Sequence, residues 1–236
     1  MAFSYYEIYI TCQRALSSIG FPYGADEDAA HIISWLELNK LNGIKKFSKF
    51  LTKKNIKYNG KFKLNEIYSK DNINLKKTSL LMKGPGLFDY LSQKIEKKDK
   101  ITIILKQCID PIFLIPLIYK LGKKKVFINS FWLENNTVIE IKTSNNNMII
   151  KKIINKFNIN KNELVLNISK KKINSKIKTK KIHYQINEKN IQKRLSVSIK
   201  PNKKDWELVS FFANKTFVPE SKESRSKGAG GGDDND

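Results

Sequence analysis

ITIILKQCIDPIFLIPLIYKLGKKKVFINSFWL, residues 101–133, decides the fold. Ile101–Cys108 is an apolar run of the length and β-branched character of a buried strand. Asp110-Pro111 then supplies an N-cap followed by proline at the first helical position, where a missing N–H is harmless. The helix so predicted runs to Leu121, with Pro116 a candidate kink, and stops at Gly122. Val126–Leu133 reads as a second strand. Strand, helix and strand within about 32 residues make a βαβ unit, which sets two parallel strands in one sheet joined by a right-handed crossover.

Downstream, Asn135-Asn136 is a turn into a strand at Thr137–Lys142, where Ile139 and Ile141 alternate with Glu140 and Lys142. Ile149, Ile150, Ile153, Ile154 and Phe157 repeat at helical spacing and predict a helix. Leu164, Leu166 and Ile168 alternate as in a strand, and so do Ile182, Tyr184 and Ile186. Between them lies a Lys/Ser/Asn loop, Lys170–Lys181, expected to be mobile. Lys203–Asn214 predicts a last helix with Trp206, Val209 and Phe212 on one face.

Upstream, Ser4-Tyr5-Tyr6-Glu7 is a capping box for a helix carrying Ile8, Cys12, Ala15, Leu16 and Ile19. Gly20 and Pro22 end it. A second helix opens on Asp26-Glu27-Asp28, acids suited to the positive end of the helix dipole, and Asn42-Gly43 is expected to end it. Ile44, Phe47 and Leu51 suggest a short third helix. Gly84-Pro85-Gly86 falls between the apolar run Ser79–Met82 and a stripe of Leu87, Leu91 and Ile95. Strand, Gly-rich turn and helix can cradle phosphate, but Pro85 removes a donor, so a plain turn is expected. The fold class is α+β with an α/β-like centre: an N-terminal helical hairpin packed on a mixed sheet with a βαβ unit. The chain divides into a helical segment at 1–58, a body at 59–218 and a Gly/Asp-rich segment at 219–236, expected to form one domain.

The formal net charge is +23, carried by 42 Lys and three Arg: Arg14, Arg194 and Arg225. Lys, Asn and Ile share A/T-rich codons, and coding bias explains that excess better than phosphate contacts, for which Arg is favoured. Nucleic-acid binding through the Lys-rich middle is therefore a secondary reading. The charge is uneven: residues 1–43 carry −3, residues 216–236 carry −2 and the middle +28. Cys12 and Cys108 lack metal-ligand spacing and read as free thiols of a cytoplasmic protein. Met1 leads into polar and aromatic residues without a signal-peptide pattern, and Lys106, Asp110, Pro111 and Pro116 interrupt the most apolar stretch, so no membrane association is expected.

Candidate functional residues gather at the two low-Lys ends. In the C-terminal run, Gly228 and Gly230 could let backbone N–H groups converge on an anion, with Ser221, Ser224 and Arg225 as further donors. Asp233, Asp234 and Asp236 could instead hold a hard cation, or the run could be a polar tail; no metal is assigned. His31 lies one turn after Asp28, whose carboxylate could orient it as an acid or base. His183 is on the polar side of a strand. No motif indicates a particular cofactor.

Gly20-Phe21-Pro22-Tyr23-Gly24-Ala25-Asp26-Glu27-Asp28-Ala29-Ala30, with Trp35-Leu36-Glu37 and Gly43, resembles the start of an uncharacterised bacterial family of unknown function. Phe217-Val218-Pro219-Glu220-Ser221, Ser224-Arg225, Gly228-Ala229-Gly230 and Asp234-Asn235-Asp236 look like that family's ending, and Pro111 to Trp132 fits its middle more loosely. The N-terminal hairpin also resembles that of the type-2 malate/L-lactate dehydrogenases. That likeness implies a reactive His shortly after the Gly ending the second helix, but Gly43–Ser48 contains none. The sequence thus leads to a cytoplasmic metabolic protein, enzyme or companion subunit, that binds a small anionic molecule with its two ends. A structural or accessory subunit, with homo-oligomers allowed, is the other reading.

Overall fold

The computed structural model describes residues 1–68, 70–144, 146–154, 160–173 and 183–216, within which eight α-helices and seven strands form. The βαβ unit is present. β2 (Lys100–Lys106) leads through a 3-10 turn (Pro111–Leu114) into helix α6 (Ile115–Gly122) and then β3 (Phe127–Glu134). Both strands pair antiparallel with β6 (Leu164–Ser169), which lies between them, so β2 and β3 are parallel to each other. The full order is β1-β2-β6-β3-β4-β5-β7, with β1 (Asn72–Asn74), β4 (Thr137–Ser144), β5 (Asn147–Ile154) and β7 (Tyr184–Asn187) completing the sheet.

Three local expectations change. Residues 147–154 form a strand instead of a helix. Asn135 and Asn136 both adopt left-handed φ (46° and 59°), the geometry that joins twisted antiparallel strands, and β4 then pairs with β5 from Thr137↔Ile154 to Ser144↔Asn147. The Ile149-Ile150 doublet reflects a strand with apolar residues on both faces, a pattern that a helical stripe also satisfies. Gly84-Pro85-Gly86 is not a turn. It lies inside helix α5 (Leu80–Lys97), which the side chain of Ser79 caps through Leu81 N. Gly84 is where α5 meets α6: a Cβ there would come within 2.9 Å of Leu117. Asn42-Gly43 begins a helix and does not end one.

The N-terminal helices are α1 (Tyr5–Ser18), α2 (Ala25–Leu38) and α3 (Gly43–Leu51). The Ser4–Glu7 capping box closes in both directions, at 2.7 and 3.2 Å. Gly20 (φ 86°) and Gly24 (φ 83°) supply the left-handed conformations between α1 and α2. Helix α8 (Lys203–Asn214) returns to pack on α1 and α3, with Trp206 against Phe3 at 4.3 Å between ring centroids. A short α4 (Leu64–Ile67) precedes β1, and α7 (Glu188–Leu195) follows β7. Helices α5 and α6 lie on the sheet, α2 packs on them, α1 and α3 pack on α2, and α8 packs on α1 and α3. Buried apolar residues from Ile8 to Ala213 form one cluster through these layers. Among the described residues, no helix is long and apolar enough to cross a membrane.

Candidate functional site

The connection between α2 and α3 is built on buried polar contacts. Asn39 is 0% exposed, and its side-chain amide donates to Trp35 O at 2.9 Å. Lys40 (φ 59°) and Asn42 (φ 55°) take left-handed backbone conformations. Asn42 occupies the N-cap of α3 without using its side chain. Glu37 caps instead: its Oε2 accepts from Ile44 N at 2.9 Å. Burial pushes the Glu37 carboxyl up from its ordinary range, opposed by that N–H and assisted by the charge of Asp205.

Helix α7 forms the facing wall. Asn187 caps its start through Asn190 N, while Lys193 and Arg194 sit in its last turn, where cations suit the negative end of the dipole. Only Ile191 of this helix is buried. Polar contacts do the anchoring: Glu188 meets Lys123 at 2.8 Å and the Tyr119 hydroxyl at 3.3 Å, and Arg194 donates to Asn39 Oδ1. Burial, then the neighbouring Glu188, pushes the Tyr119 hydroxyl up to about 12.

Between these walls lies a cavity of about 700 Å³. Lys40, Lys193, Arg194 and Lys200 line it, and Glu37 is the one carboxylate among its described lining residues. Among the described residues, the ammonium groups of Lys40, Lys193 and Lys200 have no ion pair or hydrogen bond. The cavity can therefore hold negative charge, with Asn42, Asn190 and Ser198 as further hydrogen-bonding groups.

A second cavity, of about 340 Å³, adjoins the first, and Lys40 and Asn42 line both. It reaches down between α3 and the sheet to Trp132. At its edge Lys46 is paired with Glu134 at 3.3 Å. Gly43–Ser48, the stretch where the dehydrogenase likeness implies a His, is the start of α3 beside these two cavities.

The residues singled out from sequence do not meet there. Asp28 lines a separate cavity of about 90 Å³ with Asp89, Lys120 and Lys124. Its carboxyl is pushed up by burial against the pull of Lys120. His31 Nδ1 lies 3.1 Å from the Tyr5 hydroxyl, so Tyr5, not Asp28, orients the ring. Much of His31 meets solvent, yet desolvation by the surrounding protein and the charge on Lys120 lower its pKa. Ser221, Ser224, Arg225, Gly228 and Gly230 lie outside the described residues, as does most of the Lys170–Lys181 loop. Among the described residues, no group of His, Cys, Asp and Glu is placed to hold a metal ion. Sequence reading missed Lys40, Lys193, Arg194 and Lys200 because lysine is everywhere in this chain. The signal that could have found them is Arg194, one of three arginines.

Residues 3–83, from the start of α1 into α5, match a family described as a protein of unknown function (DUF3726). No curated protein sequence matches the chain. The fold is that of the malate/lactate dehydrogenase-like proteins. An E. coli protein proposed to be a malate/lactate dehydrogenase superimposes with a TM-score of 0.64 at 6% identity, over 93% of this chain and 96% of the other. Malate dehydrogenase from Pyrococcus horikoshii gives 0.60 at 9% identity, over 91% and 95%. Sulfolactate dehydrogenase from Methanocaldococcus jannaschii gives 0.56 at 8% identity, over 91% and 97%.

Proposed function

We propose that the protein binds a small carboxylate-bearing metabolite in the cleft between the α2–α3 connection and α7. The observation that carries this reading is the set of four cationic side chains around a cavity whose one described carboxylate is committed to capping α3. Three of the four cations have no partner among the described residues, so an incoming anion need not displace an existing ion pair. The named substrates of the structural neighbours, malate, lactate and sulfolactate, are small acids with one or two anionic groups, which agrees in chemistry. Binding without hydride transfer follows from the stretch Gly43–Ser48, which offers no imidazole as acid or base.

Calorimetric titration with malate, lactate and sulfolactate tests the reading. At least one should bind, with an affinity that falls as salt rises. Lys193→Glu combined with Lys200→Glu should weaken it about tenfold or more, since both side chains are exposed and their reversal leaves the fold intact. Charge reversal that leaves the affinity untouched, or no binding of any of the three acids at millimolar concentration, would remove the proposal.

A further inference from the structure

Cationic charge continues from the first cavity into the second. Lys193 and Lys200 line the first alone, Lys152 lines the second alone, and Lys40 lines both. Lys152 of β5 stands opposite Ile139 of β4, which lines the same cavity. It is exposed and, among the described residues, has no ion pair or hydrogen bond. Lys46 also lines the second cavity, but its charge is used by Glu134 at 3.3 Å. Glu37 and Glu134 are the two carboxylates among the described residues of the joined cleft, so one anionic group would leave most of its positive charge unmet. Size points the same way. Cavities that enclose drug-sized ligands run to about 300–1,000 Å³, and each of these two, at about 700 and 340 Å³, reaches that range alone. An acid the size of malate held by Lys193 and Lys200 leaves the second cavity empty.

We infer that the joined cleft takes an elongated dicarboxylate, longer than malate, whose two charged ends lie on either side of Lys40. One carboxylate meets Lys193 and Lys200, and the other meets Lys152. Asn42 between the cavities, with Asn135 and Thr137 in the second, offers hydrogen-bonding groups to the part of the ligand that joins the two ends. This rests on the reading of the cationic cavity as a carboxylate site, and adds to it a second anionic group and the residue that receives it.

Calorimetric titration with suberate and octanoate tests the inference, because the two acids share a chain length and differ in the second carboxylate. Suberate should bind about fivefold more tightly, the value of one charge pair near the surface. In Lys152→Gln, a change at an exposed side chain, the two should bind alike to within about twofold, and malate should bind as it does to the unaltered protein. Equal binding of suberate and octanoate by the unaltered protein overturns the inference, whether or not the variant folds. So does a preference that survives in Lys152→Gln. Malate binding that falls as far as suberate binding in that variant also overturns it, since Lys152 would then act as a diffuse charge on the whole cleft. If malate binds in a manner sensitive to Lys193→Glu and Lys200→Glu while suberate does not bind, the inference fails alone. If no carboxylate of any kind binds, it falls together with the reading beneath it.

Discussion

The guanidinium of Arg194 donates to the side-chain carbonyl of Asn39, a residue with no exposed surface. Asn39 is held in place from the other side, because its amide donates to Trp35 O. The bond ties α7, which buries a single apolar residue, to the connection between α2 and α3. This contact joins the two walls of the cationic cleft across distant parts of the chain, alongside the Glu188 contacts that anchor the start of α7.

Breaking that contact should cost stability and loosen the cleft. Arg194→Lys keeps the charge but loses the planar fork, and should lower the free energy of unfolding by about 1–2 kcal/mol. Asn39→Ala should cost a similar amount. Urea unfolding of both single variants and the double variant should give a coupling of about 1 kcal/mol. Strict additivity would show that the two side chains do not support each other.

Glu37 gives the site a pH dependence of defined sign. Burial raises its folded-state pKa, so the folded protein holds this proton to higher pH than the unfolded chain does. Its contribution is most favourable below the unfolded pKa and falls as pH rises through the folded value. Glu37→Gln keeps an acceptor for Ile44 N and removes the charge. Stability at neutral pH should equal or exceed that of the parent, and the decline between pH 4 and the folded pKa should flatten. Malate should bind about two- to fivefold more tightly, because the one described carboxylate of the cavity is gone. Weaker binding would mean that Glu37 serves the ligand directly.

Two glycines on helices should respond in opposite ways to alanine. A Cβ on Gly43 would lie 2.1 Å from Ile33 O and 2.8 Å from Glu37 N, both backbone atoms of α2 that cannot swing aside. Gly43→Ala should cost about 3 kcal/mol and disturb the adjoining cleft. Gly86 lies within α5 and has nothing within 4 Å of a Cβ, so Gly86→Ala should stabilise by about 0.5–1 kcal/mol. Thermal unfolding of the pair checks both signs.

The sequence disclosed those elements whose signals are local. Ser4 with Glu7 marks a helix start through its capping hydrogen bonds, and α8 fell at the expected Lys203–Asn214. Helix α6 ends at Gly122, although that glycine is not left-handed and Asp110 opens a 3-10 turn without a side-chain cap. Residues 147–154 were misleading because a strand apolar on both faces mimics a helical stripe, and only pairing with β4 decides between them. Pro85 suggested a turn, yet α5 continues through it, and the neighbouring Gly84 fits closely against Leu117. Helix α7, with one buried apolar residue, has almost no hydrophobic period to read. The cationic cavity was illegible for a related reason. Lys40 and Arg194 are far apart in sequence, and the buried Asn39 that unites them is an ordinary residue in an Asn-rich chain.

The purified protein should not oxidise malate or lactate with a nicotinamide cofactor, although its fold is shared with enzymes named for those substrates. Removing hydride from a carbinol carbon requires a base positioned on the hydroxyl proton. Residues 43–48 contain no His, and the first turn of α3 is occupied by Gly43 and Ile44 under the Glu37 cap. The chain has two histidines. His31 is held by the Tyr5 hydroxyl on α2 and lines neither of the two adjoining cavities. His183 stands just before β7, where its backbone N–H bonds to Ile150 O, and lines neither cavity. Absorbance at 340 nm with malate or lactate and either nicotinamide cofactor should stay at background, while the same acids are tested for binding by calorimetry. Turnover well above background that is lost in His31→Ala would place the base on α2 and refute a purely binding role.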